Sequence, residues 1–261
     1  MTNLTITRPA RTDAPSPAAT FPGIPFSRLV RVEWGKATDT RAARWLLALV
    51  AASTIGLMSA PVLAPSNIDQ TYTSYLGFAA LALSILLPVV SILTMTSEWS
   101  QRTALTTFTQ EPRRIRVINA KVTVSLLLAG GAAVFGGLVT AAGLGVAAAS
   151  GRELDANLNG KVVVGYLLFV LLNVLTGVVF GALLHNPAAA IVLYFALPTA
   201  FALLGRVLKS VADWIDTSTT FNWLLQGQWS GHTPQILFSV ALWVAVPLAA
   251  GLARTERREV H

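Results

Sequence analysis

"VVVGYLLFVLLNVLTGVVFGALLHNPAAAIVLYFALPTAFALLG", residues 162–205, runs for 44 residues without a single Asp, Glu, Lys or Arg. A bilayer hydrocarbon core about 30 Å thick takes roughly 20 apolar residues of α-helix, so one span cannot absorb this stretch. His185-Asn186-Pro187 supplies a polar break near its middle, and Pro187 disfavours helical backbone at Asn186. The stretch therefore predicts two helices, 162–184 and 188–205, joined by a tight hairpin. Ala188, Ala189 and Ala190 restart the second helix.

The rest of the chain repeats the pattern. No charged residue lies between Arg44 and Asp69, Asp69 and Glu98, Lys121 and Arg152, or Asp216 and Arg254. These intervals predict spans at 45–64, 74–96, 122–148 and 235–253. Only 12% of the chain is charged, half the share of a soluble domain at about 25%. The mean hydropathy is +0.61. The sequence thus predicts an all-α membrane protein with six transmembrane helices.

Lys and Arg set the expected orientation, because cytoplasmic loops collect them. With both termini in the cytosol, seven basic residues fall in the N-terminal segment, five in 97–121 and three at the C-terminus. Only Arg152, Lys161, Arg206 and Lys209 then lie outside. Merging the fourth and fifth spans would put the Arg254, Arg257 and Arg258 tail on the wrong side. Six spans are favoured. The net charge of +7 follows from this asymmetry and from contact with anionic lipid headgroups, so nucleic acid is not the expected partner. Residues 1–24 are polar and Pro-rich (ARTDAPSPAAT) with no apolar core of a signal peptide, and read as a disordered cytosolic tail. Residues 255–261 read as a second short cytosolic tail. With no cysteine, disulfides and thiolate metal sites are excluded.

The spans carry no ionisable residue in their interiors, which removes the usual carriers of a coupling ion or proton. Asn173, Thr176, Ser84 and Ser91 are the main polar residues there, either as helix–helix hydrogen bonds or as contacts along a substrate path. Nor does the chain hold ATP itself. A P-loop needs G-x-x-x-x-G-K-[ST], but Val162 follows Gly160-Lys161 and Asp155 stands at the first Gly position. No Ser/His/Asp group or metal-ligand cluster is present, so no catalytic or metal residue is assigned. In the third span Ala133, Gly137, Ala141 and Gly145 recur every four residues, a ridge suited to packing inside the subunit or to a dimer seam.

Before the first span, Phe26, Leu29, Val30, Trp34 and Ala37 share one helical arc while Arg28 and Arg31 point away. This predicts an amphipathic interfacial helix at 25–38. Glu33 falls inside the apolar arc and requires a partner. Lys36, three residues on, is one choice. A basic residue of the 97–121 loop, such as Arg113 or Arg114, is the other. Between the fifth and sixth spans, Val207, Leu208, Val211, Trp214 and Ile215 form a further helical stripe, and FNWLLQGQW follows at 221–229. Segment 206–234 is expected either to anchor its Trp residues at the outer interface or to form a short re-entrant or outer-leaflet helix pair.

The loop "SEWSQRTALTTFTQEPRRIRVINAK", residues 97–121, has helical spacing from Arg102 to Thr109, ended by Gln110-Glu111-Pro112. Ala104, Leu105 and Phe108 are the apolar residues of that piece. Arg113, Arg114, Arg116 and Lys121 follow, and with Glu98 they give the loop its charge. Leu105 and Phe108 are expected to dock into a partner's groove, while Arg113, Arg114 and Lys121 hold the loop to the membrane. Glu33, Lys36, Glu98 and Lys121 are the candidate interfacial charge link.

This loop resembles the cytosolic loop of ABC type-2 exporter permeases, where an E-(aromatic)-x-x-x-T stretch leads to P-R-R and then A-K. "RVEWGKATDTRAARWLL" is similar to that family's interfacial segment entering the first span, and "GALLHNPAAAIVL" to its joint between the fourth and fifth. His185 stands where relatives often show Arg. The resemblance covers most of 25–253. It implies a permease domain over 25–254, in a prokaryotic plasma membrane, acting as a homodimer or as a heterodimer with a related permease. It further implies a separate ABC ATPase subunit, two copies per complex, which carries ATP and Mg while this chain binds no cofactor. By the same resemblance Arg102 to Thr109 is the coupling helix. Arg102, Ala104, Leu105, Phe108, Pro112, Arg113 and Arg114 couple to the ATPase, and Ser84, Gly137, Asn173 and Thr176 border a substrate path or dimer seam. The substrate class it fits is an amphipathic drug, peptide or lipid. An ATP-independent carrier or channel and a non-transporting scaffold are the alternative readings.

Overall fold

The structure is a computed structural model and describes residues 23–155, 159–205, 207 and 213–257. Its helices are α1 (Phe26–Thr38), α2 (Arg41–Leu63), α3 (Tyr72–Ser100), α4 (Ala104–Gln110), α5 (Arg114–Ala149), α6 (Gly160–Leu184), α7 (Pro187–Gly205), α8 (Thr217–Leu225), α9 (Thr233–Val240) and α10 (Val246–Arg257). A π-helical turn, Ala241–Ala245, joins α9 to α10. Among the described residues, six segments are long and apolar enough to cross a membrane: α2, α3, α5, α6, α7 and Thr233–Arg254. The protein is thus a helical, multi-pass membrane protein. Residues 1–22 and 258–261 of the predicted tails, and Leu208 and Val211 of the stripe between the fifth and sixth spans, lie outside the described residues.

The helix boundaries have local causes. Thr40 and Thr71 accept hydrogen bonds from the backbone N–H of Ala43 and Ser74 (3.1 Å each), capping α2 and α3. The hairpin between α6 and α7 is built as its sequence requires. His185 takes the left-handed conformation (φ 53°) and ends α6, and Asn186 Oδ1 accepts from Ala189 N (3.1 Å) to start α7 at Pro187. At the opposite end of the bundle Asp216 caps α8 through Ser218 N (2.9 Å).

α3 and α6 form the centre, half buried along their apolar windows (56% and 50%), whereas α7 is peripheral at 11%. They touch closely because α6 offers glycine. A Cβ at Gly177 would meet Ser91 Oγ and lie 2.7 Å from Pro88 O, and one at Gly181 would lie 2.9 Å from Met95 Cβ. Ser91 Oγ in turn donates to the carbonyls of Pro88 (2.8 Å) and Val174 (3.1 Å), stitching the two helices. Pro88 has no N–H for the carbonyl of Ser84. That freed carbonyl accepts instead from the Tyr194 hydroxyl of α7 (3.0 Å).

The expected every-fourth-residue ridge on α5 is only partly used. The buried line is Ala129, Ala133, Gly136, Thr140, Leu144 and Ala147. Tyr166 OH sits over Gly136 and donates to Ala133 O (3.0 Å). At 3.6 residues per turn a strict four-residue repeat drifts around the helix. Gly137 and Gly145 have therefore rotated off the packed face, and a Cβ at either would meet nothing within 4 Å.

Candidate functional site

Around the 97–121 segment, α1, α3 and α5 bring four charges together. α3 continues to Ser100, and α5 starts at Arg114, so Glu98 and Lys121 lie in regular helix rather than in a loop. Lys121 Nζ contacts Glu33 Oε2 (2.6 Å) and Glu98 Oε2 (2.8 Å). Lys36 Nζ contacts the other oxygens, Glu33 Oε1 (2.6 Å) and Glu98 Oε1 (3.0 Å). Two carboxylates and two ammonium groups thus alternate in a closed, neutral ring.

Burial makes this ring more than a surface feature. Glu33, Glu98 and Lys121 are each 3% exposed or less. Lys121 also donates to Thr94 O and Ser97 Oγ (2.9 Å each), so its ammonium is fully satisfied. Burial alone would lower the pKa of Lys36, but its hydrogen bond to Glu33 and the charge of Glu98 outweigh that and raise it. A raised lysine pKa contributes stability that is whole below its ordinary value and lost only as pH climbs through the folded-state one. Lys36 therefore stays charged across neutral pH.

Glu33 takes both kinds of partner expected for it, Lys36 and a basic residue of 97–121, so the four residues of the candidate charge link meet; the basic residue is Lys121 rather than Arg113 or Arg114. Periodicity placed Glu33 on the inner face, and only the packing of α1 on α5 selected which cation meets it. Lys121 likewise does not reach lipid headgroups as expected, because both carboxylates enclose it.

α4 caps this end. Two residues past the end of α3, Arg102 sits in the left-handed region (φ 57°), and Thr103 N donates to Glu98 O (2.9 Å) across that turn, a geometry that ordinarily takes glycine. Ala104 is buried and Leu105 is 57% exposed. Phe108 turns inward: its ring lies 6.2 Å from that of Trp99 and 5.0 Å under the Arg114 guanidinium. Of the two expected docking knobs, only Leu105 projects. Trp99 also meets the His185 ring (4.6 Å), joining α4 to the α6–α7 turn. Pro112 and Arg113 are exposed.

Glu111 is the residue that sequence reasoning missed, having read it only as part of a helix break. It is 5% exposed and binds Arg116 (2.7 Å), whose other nitrogen donates to Ile24 O (2.7 Å). An isolated acid in a basic loop was the available signal.

The remaining candidates lie toward the other end. Ser84, Asn173 and Thr176 border one cavity of about 530 Å³ between α3, α6, α7 and α8, with Tyr194, Thr199, Thr217 and Asn222. Tyr194 OH donates to Asn173 Oδ1 (2.9 Å). Gly137 is not among its walls. Among the described residues no cluster of His, Asp or Glu could hold a metal. No family model matches the chain, and no curated protein matches it.

Proposed function

We propose that this chain is the transmembrane permease subunit of an ABC exporter, with both termini in the cytosol of a prokaryotic cell. Its partner is a separate ATPase subunit that binds ATP and Mg, present twice in a complex with two permease chains. The observation that carries this reading is α4: a short helix with an outward leucine, mounted on a buried ion ring that joins α1, α3 and α5. A force applied to Leu105 reaches the spanning helices α3 and α5 and the interfacial helix α1 through contacts that cannot stretch far without exposing charge to an apolar interior. α1 is the interfacial helix of this arrangement. Its exposed Phe26 and Trp34 suit the lipid boundary. The cavity at Ser84, Asn173 and Thr176, apolar with a few hydroxyl and amide groups, suits an amphipathic substrate.

Co-purification in mild detergent tests the class: a bound P-loop ATPase supports it, and ATPase-free transport in vesicles sinks it. Leu105→Asp is expected to weaken ATPase binding by about tenfold or more, since a buried leucine contributes about 1.5–3 kcal/mol. The melting temperature should not fall, because Leu105 packs on little in its own chain. Arg102→Gly is a separate check. It removes a left-handed backbone cost of about 1–2 kcal/mol, and glycine's greater unfolded-state entropy returns part of it. The expected result is a melting temperature equal to or slightly above the parent, with ATPase stimulation reduced through loss of the guanidinium.

A further inference from the structure

A second cavity, of about 250 Å³, lies between α2, α3, α5 and α6, with Trp34 of α1 at its edge. Its walls are almost wholly apolar: Leu47 and Val50 of α2, Leu87 of α3, Leu128 and Phe135 of α5. Ser91 and Ser125 are the exceptions, and Ser125 is the unusual one. It is 2% exposed, borders the cavity, and its Oγ has no hydrogen-bond partner. A serine inside a helix ordinarily bonds back to its own backbone, so an unpartnered hydroxyl here has its proton available to an acceptor in the cavity. Ser91, the other hydroxyl here, already donates to Pro88 and Val174.

We infer that this cavity holds one acyl chain of a membrane phospholipid, with the chain's ester carbonyl accepting a hydrogen bond from Ser125 Oγ. The walls belong mostly to membrane-spanning helices, and Leu127 (53% exposed) and Gly131 mark an open side along α5. What lies against that side is hydrocarbon. An apolar cavity of 150 Å³ is already large enough to bind benzene, so this one admits a length of acyl chain but not a whole lipid. An ester carbonyl has acceptor sites and no proton, the complement of an unused hydroxyl. Ser125 lies one helical turn beyond Lys121, which puts it just inside the charged end of the bundle, at the depth of an ester group. The ion ring is not part of this site, and the inference does not rest on transport.

The test uses the full chain in phosphatidylcholine vesicles doped with a phosphatidylcholine carrying a diazirine on one acyl chain. Labelled positions are mapped by mass spectrometry after illumination. Labelling is expected to concentrate on residues 125–135 and 47–51, above that at the exposed Leu138. Gly131→Leu fills the space, since a Cβ there meets nothing within 4 Å. It should cut cavity labelling at least about fivefold while Leu138 labelling holds. Ser125→Ala should cut it about two- to threefold. Cavity labelling no higher than at Leu138, or surviving Gly131→Leu, overturns the inference. Unchanged labelling in Ser125→Ala overturns the carbonyl contact. Labelling by a diazirine fatty acid but none by the phospholipid overturns the lipid source. Should Gly131→Leu fail to insert, Ala132→Met fills the same cavity and carries the comparison.

Discussion

Lys121→Met is expected to destabilise the protein by about 3–5 kcal/mol, the cost of leaving a buried charge without its partner. Glu33 and Glu98 would face each other across the ring with only Lys36 between them, and the Lys36 side chain is 41% exposed. Screening at that exposed lysine is too strong for it to neutralise both carboxylates. Thermal unfolding in detergent reads the effect. Lys121→Met combined with Glu33→Gln should recover part of the loss, because one negative charge goes with the positive one. Lys121→Arg keeps the charge but not the compact ammonium that serves two carboxylates, Thr94 O and Ser97 Oγ, so it should fall between. A Lys121→Met protein that melts like the parent would show that the four charges do not form a closed buried ring.

Gly177→Ala is the second large effect. Its new methyl group would meet Ser91 Oγ and the backbone of Pro88, whose carbonyl oxygen would be 2.7 Å and Cα 3.0 Å away. The serine can turn aside, but the proline backbone cannot, so α3 and α6 must separate. Overpacking of this kind costs about 1–3 kcal/mol. The stitch from Ser91 to Val174 lies in the same contact and should go with it. Gly137→Ala on α5 is the matched control: its Cβ meets nothing, and better helix propensity should leave stability unchanged or up by about 1 kcal/mol. Equal melting temperatures for the two variants would refute the close α3–α6 approach.

Those two glycines show where sequence reading stops. Both sit in apolar helices, and a small-residue pattern singled out Gly137 while passing over Gly177. Spacing along one helix reports which residues share a face, but not which face meets a neighbour. The same limit applies to the ion ring. The position of Glu33 on the apolar arc of α1 announced a buried carboxylate, yet Lys121 is 88 residues away. Only the packing of α1 against α5 ranked it above Arg113 and Arg114. Phe108 shared its arc with Leu105, and Trp99 and Arg114 drew it inward.

By itself, the sequence determined the number and order of the long apolar helices, because charge is excluded from hydrocarbon and each 20-residue apolar run must cross it, but not their ends: α5 begins at Arg114, ahead of the expected 122. It also determined the α6–α7 hairpin, since Asn186 and Pro187 act on backbone torsions within two residues of themselves. Tertiary structure alone decided which carboxylate meets which lysine, which glycine takes a neighbouring helix, and which cavity keeps a free hydroxyl. These depend on the rotation and depth of one helix against another. In an apolar medium that rotation is set by the summed fit of many side chains and a few hydrogen bonds, none of which has a fixed spacing along the chain.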